Sequence, residues 1–151
     1  MNEIGPLLEL EEVVEYPEQS LWTMTVDEQT VVFAEHHDEA RQLMLSVDVA
    51  EMPGDRRAEL LDELLRFNGR WDETGGLCMS LDAEGRTVQQ SAVLPIEGLD
   101  SRTLHNALES FLATMNNWRR QILHQEEGAI DRTAEAPPDQ GDTPPEFGIR
   151  I

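Results

Sequence analysis

Between Leu104 and Ile122 the apolar residues Leu104, Leu108, Phe111, Met115, Trp118 and Ile122 recur at steps of four, three, four, three and four. Such steps keep one side of an α-helix apolar, so the segment is read as an amphipathic helix ending near His124. Asp100 or Ser101 is placed to cap its start. At 1.5 Å per residue the stripe is about 27 Å long. A helix with one long apolar side must lie on another element, and that requirement restricts the fold more than any other feature of the chain.

The element it needs is legible upstream. In SLWTMTVD, residues 20–27, Trp22, Met24 and Val26 alternate with Leu21, Thr23 and Thr25, the period of a half-buried strand. TVVFAEHH, ending near His36, predicts a second strand, and RQLMLSVDVAEM predicts a third, with Leu43, Leu45, Val47 and Val49 set against Met44, Ser46 and Asp48. The polar turns DEQ and DEA make these an antiparallel meander. After Pro53-Gly54 a helix is expected from about Asp55 to Asn68, with Asp55 as N-cap, Glu59 and Asp62 towards its positive end, and Gly69 as its stop. TGGLCMSLD and RTVQQSAVLP form a hairpin around DAEG. Residues 6–15, PLLELEEVVE, predict a short helix with Leu7, Leu10 and Val14 on one face, a strand being the rival assignment. The expected fold class is α+β: an antiparallel twisted sheet, a three-strand meander plus a hairpin, with flanking helices in the order α-β-β-β-α-β-β-α.

A change of character follows Gln125. Residues 126–151 hold Pro137, Pro138, Pro144 and Pro145, with seven acids against two arginines and no periodicity. The chain therefore divides into a domain over 1–125 and an acidic, proline-rich tail expected to be disordered. The tail closes on FGIRI, where Phe147, Ile149 and Ile151 alternate with Gly148 and Arg150. That alternation suits a strand docking on an open sheet edge or groove of this chain or of a neighbour.

No pattern in the chain points to chemistry. Neighbouring His36 and His37 in a strand point to opposite faces, and His105 and His124 lie far apart on the last helix. No metal-ligand spacing occurs, and no cofactor motif. Cys78 lies in an alternating strand without a local base and is expected to be a buried structural thiol. The TGG at 74–76 precedes a strand rather than a helix, so it is read as a tight turn and not as a phosphate loop. The chain is expected not to be an enzyme. With 31 acids against 11 bases, every base an arginine, the formal net charge is −20. Nucleic-acid binding through a basic patch is thereby disfavoured, whereas a basic or unfolded protein partner is electrostatically welcome. No apolar run is long enough to span a membrane. The first residues lack a basic leader and a cleavage site, and cytoplasmic residence is the expectation.

The 55–68 helix carries Leu60, Leu61, Leu64 and Leu65 in two adjacent rows, widened by Ala58 and Phe67, with Trp71 close behind. One sheet face needs less apolar cover than this, so a second copy across a two-fold axis is expected to share the surplus. The run LLDELLRFNGRWDETGGLCMSLDAEGRTVQQSAVLP, followed by LDSRTLHNALESFLATMNNWRRQI, resembles the CesT-like (Tir chaperone) family of class I type III secretion chaperones. The shared marks are the Leu-rich helix ending in Asn68, the glycine-led strand with Leu81-Asp82 before the Gly85 turn, Leu94-Pro95, and Leu99-Asp100 opening a helix that finishes around Trp118. The resemblance covers about residues 20–125. It departs at the short N-terminus with Pro6, where the family has a longer amphipathic helix, and at the long tail.

The resemblance implies a non-catalytic homodimer of the bacterial cytoplasm, without cofactor, that binds the N-terminal region of a type III secreted effector in extended form. The secretion ATPase is a further possible partner. By the same resemblance the dimer seam falls on Leu61, Leu64, Leu65, Trp71, Leu77 and Met79. Effector-facing candidates are Trp22, Met24, Val32, Leu43 and Leu45, the alternative for each being a plain core position. The alternative within the family is a regulatory chaperone that sequesters an anti-activator controlling type III secretion gene expression.

Overall fold

The structure, a computed structural model, describes residues 10–133 and the side chains of residues 10–123. Strands β1 (Glu12–Tyr16), β2 (Leu21–Asp27), β3 (Thr30–His37) and β4 (Gln42–Glu51) come first, followed by helix α1 (Arg57–Asn68). Strands β5 (Cys78–Leu81) and β6 (Thr87–Pro95) and helix α2 (Ser101–Thr133) complete the chain. All six strands form one sheet in the order β1-β2-β3-β4-β6-β5, every pairing antiparallel. The expected meander is β2-β3-β4 and the expected hairpin β5-β6. Pairing of β4 with β6 joins the two into one surface.

Residues 12–16 correct the helix that the apolar spacing of 6–15 predicts. They form a strand in which Val13 faces Met24 and Val14 faces Thr23. Two adjacent β-branched residues suit a pleated edge better than a helix, and Pro17 then opens a single 3-10 turn into β2. Residues 6–9 lie outside the described residues, as do Phe147, Ile149 and Ile151 of the tail motif.

Both helices lie on one side of the sheet. From the strands, Met24, Val32, Ala34, Leu43, Leu45, Val47, Val49, Met79, Val88 and Ala92 point into the core. They meet Leu60 and Leu64 of α1 and the whole stripe Leu104, Leu108, Phe111, Met115, Trp118 and Ile122 of α2. The expected helix stripe is thus buried as a unit, each member at most 9% exposed. Phe67 and Trp118 meet edge to face, with ring centroids 5.5 Å apart, and tie the two helices together.

Polar groups pin the layers. Arg119 donates from Nε to the Val49 carbonyl (2.7 Å), from Nη1 to Thr30 Oγ1 (2.8 Å) and from Nη2 to the Asp48 carbonyl (3.1 Å). The two carbonyls lie at the β4 irregularity between Asp48 and Ala50, where the register with β6 shifts. Asp100 caps α2, its Oδ1 accepting from the Thr103 N–H at 2.7 Å. Bonds from the Thr103 side chain and backbone hold that carboxyl below its usual range. The helix runs on to Thr133, past the end near His124 that the apolar stripe predicts. At α1, Arg56 and not Asp55 holds the cap position, without a side-chain cap bond, and pairs instead with Glu59 at 3.2 Å. Gly69 stays right-handed rather than stopping the helix in a left-handed turn. The chain reverses only at Gly75 and Gly76, with φ of +67° and +82°, as the tight-turn reading of TGG requires.

Candidate functional site

Opposite the helices the sheet has no cover among the described residues. Alternation along the strands sends Val14 and Tyr16 of β1, Leu21 of β2, Val31 and Phe33 of β3, Met44 of β4 and Val93 of β6 to this side. None of them belongs to the core or packs against it. Tyr16, Val31, Phe33 and Val93 are 43%, 37%, 40% and 49% exposed. In an antiparallel sheet with one solvated face, that face is ordinarily polar. Large apolar side chains spread across five strands are instead what a protein-binding surface looks like. Cys78 also points outward here and is exposed, which corrects its expected burial: in β5 the inward position belongs to Met79.

A second apolar surface lies at the far end of α1. Leu65 and Trp71 are each 69% exposed, and Leu61 and Leu77 are half-buried. Beside them runs β5, an edge of the sheet among the described residues. That edge is not bare. Asn68 reaches it from the last turn of α1, its Oδ1 accepting from the Met79 N–H and its Nδ2 donating to the Met79 carbonyl, both at 2.8 Å. Thr74 covers the next outward position, its hydroxyl donating to the Leu77 carbonyl at 3.3 Å. A side-chain amide that bonds both groups of one residue imitates a neighbouring strand, so this edge is largely spoken for.

The residues singled out from the sequence divide accordingly. Of the six at the expected seam, Leu65 and Trp71 stand exposed, Leu61 is half-buried, and Leu77 is half-buried against the core. Leu64 and Met79 are 4% exposed and lie inside the protomer's own core. The five effector-facing candidates share one face, but it is the face under the helices. Met24, Val32, Leu43 and Leu45 are core residues, the most exposed of them at 5%. Trp22 is half-buried and lines, with Leu43, His36, Leu99 and Leu104, a cleft of about 310 Å³ beside the start of α2. The outward set of Tyr16, Val31, Phe33 and Val93 carries a signal that alternation alone overlooks. In TVVFAEHH both phases of the alternation are apolar, so β3 presents apolar side chains to both faces.

No described group of three or more His, Cys, Asp or Glu residues is arranged to hold a metal ion. No described helix is long and apolar enough to cross a membrane. What stands out among the described residues is the exposed apolar surface on the sheet and at α1.

Comparison with known proteins gives a family and a fold. The model of the Tir chaperone protein (CesT) family matches residues 2–119. Among solved structures, the chain is similar to one described as the crystal structure of the ExsC-ExsE complex, with a TM-score of 0.68 and 22% identity over 80% of this chain and 88% of the other. It is also similar to one described as the structure of the HopA1-SchA chaperone-effector complex, with a TM-score of 0.61 and 19% identity over 78% of this chain and 88% of the other. A search of curated sequences gives no match.

Proposed function

The chain belongs to the Tir chaperone protein (CesT) family, and from that premise we propose that it is a non-catalytic chaperone for the N-terminal segment of one or more type III secreted effectors. The observation that carries this reading is the uncovered sheet face, where Tyr16, Val31, Phe33 and Val93 stand exposed outside the protomer's own core. An export-competent client is unfolded in the bound region and offers apolar side chains along an extended chain or a short helix. A broad apolar sheet face takes up such side chains without requiring one fixed sequence. The protein works as a homodimer whose seam is Leu61, Leu65, Trp71 and Leu77, so that one client chain spans two such faces.

The test is co-expression with the N-terminal segments of the secreted proteins of the same genome. The expected outcome is a complex of two chaperones to one client by light scattering, with the client segment protected from protease. Phe33→Asp, on the solvated side of the sheet, is expected to leave folding intact and abolish the complex. If no secreted protein of that genome binds, the proposal is wrong. Deletion of the gene is expected to lower export of the client and leave transcripts of the secretion genes unchanged. A change in those transcripts would favour the sequestering role instead.

A further inference from the structure

The uncovered face has a charge pattern as well as an apolar one. Glu12, Glu35 and Asp48 point to it, and the six strands contain not one lysine or arginine. Across the sheet, Tyr16 is in register with Leu21, Leu21 with Glu35, Glu35 with Met44, and Met44 with Val93. Glu35 therefore stands at the centre of a row whose other members are apolar. Along β3 its neighbours on the same face are Phe33 and His37. Its side chain is 46% exposed and lies 3.5 Å from His37 Nε2. Asp48, outward on β4, is engaged by Gln89 Nε2 at 2.8 Å.

A purely apolar segment laid on this row would strip water from the Glu35 carboxylate and leave it only the His37 imidazole, which is unfavourable. A segment that brings a cation to the same point keeps the carboxylate paired and gains the apolar contacts around it. Arginine fits better than lysine. Its guanidinium is less strongly hydrated, it bonds a carboxylate through two parallel N–H donors, and its flat face stacks on an aromatic ring such as Phe33. Resting on the chaperone reading above, we propose that Glu35 is a specificity-determining residue, which selects client segments carrying an arginine among apolar residues and seats its guanidinium beside Phe33.

The experiment uses the full-length protein and a phage-displayed library of random peptides as the probe, with wild type, Glu35→Arg and Phe33→Asp as baits of matched thermal stability. Wild type is expected to enrich apolar peptides with one central arginine, and Glu35→Arg to enrich apolar peptides with a glutamate or aspartate at that place. Changing the arginine of a selected peptide to glutamine is expected to weaken binding to wild type about tenfold, the size of one charge-assisted contact at a half-exposed site. Glutamate at the same peptide position is expected to restore binding to the Glu35→Arg protein. Enrichment of apolar peptides with no charge preference, lost in Phe33→Asp and unaltered in Glu35→Arg, would overturn the role of Glu35 and leave the chaperone reading standing. If wild type enriches no peptide and no secreted protein binds it, both are overturned.

Discussion

Gln90 of β6 lies wholly inside the core, facing α2, with its Nε2 donating to the Phe111 carbonyl at 2.8 Å. Its Oε1 is buried with no described partner. Half of a carboxamide is thus desolvated without return, which costs about 1–3 kcal/mol. Methionine fills nearly the same volume with no polar atom, and the Phe111 carbonyl keeps its own helical partner. Gln90→Met is therefore expected to stabilise the fold by about 1 kcal/mol, read as a higher midpoint in urea at constant slope. A loss of comparable size would mean that Oε1 holds a buried water. The sequence offers no sign of this arrangement, because a glutamine in an alternating strand reads as a solvent position. Single-residue roles were the least legible in general. Met24, Val32, Leu43 and Leu45 share one face of the sheet, yet the period of two cannot tell which of two faces the helices will cover. That depends on where the connections place α1 and α2, which no window of eight residues contains.

Whole elements were easier to read, and the reason is length. The α2 stripe repeats over five steps, and all six members are buried. The meander and hairpin appear where alternation and polar turns place them. The short N-terminal segment misled because Leu7, Leu10 and Val14 satisfy a helical spacing that two turns cannot test, whereas β2 offered an open ladder for Val13 and Val14 to join. At α1 the surplus of leucine is real but smaller than a count of leucines suggests. Leu60 and Leu64 are buried in the protomer's own core, and Leu65 with Trp71 remains outside. If this remainder is the seam between two copies, Leu65→Asp with Trp71→Ala is expected to weaken self-association about thirtyfold or more, as loss of central anchors does. Each protomer should stay as stable as before, since both side chains are largely solvated there. Sedimentation velocity compared with urea unfolding separates the two effects, and unchanged sedimentation would place the seam elsewhere.

At the scale of the molecule, the fold is a sheet clothed on one side and, among the described residues, bare on the other, with 31 acids against 11 arginines. The bareness comes from having two described helices, both spent on the same face. The negative charge keeps such a surface from meeting its own kind, and it favours clients of opposite sign. The two ends of the sheet differ just as much. Among the described residues β1 ends the sheet on one side, while on the other Asn68 and Thr74 occupy the outward backbone groups of Met79 and Leu77. Asn68→Ala is expected to cost about 2 kcal/mol for the two lost bonds and to make concentrated protein scatter light and bind an amyloid dye, where wild type stays clear. Absence of any such change would show that the asparagine is not guarding the strand. Fibre growth by head-to-tail stacking of sheets needs a receptive flank at each end of every unit, and a unit sealed at one flank terminates the stack after its first encounter. On the chaperone reading proposed above, a protein that works beside unstructured chains would in this way be kept from becoming the seed on which they, or its own copies, accumulate.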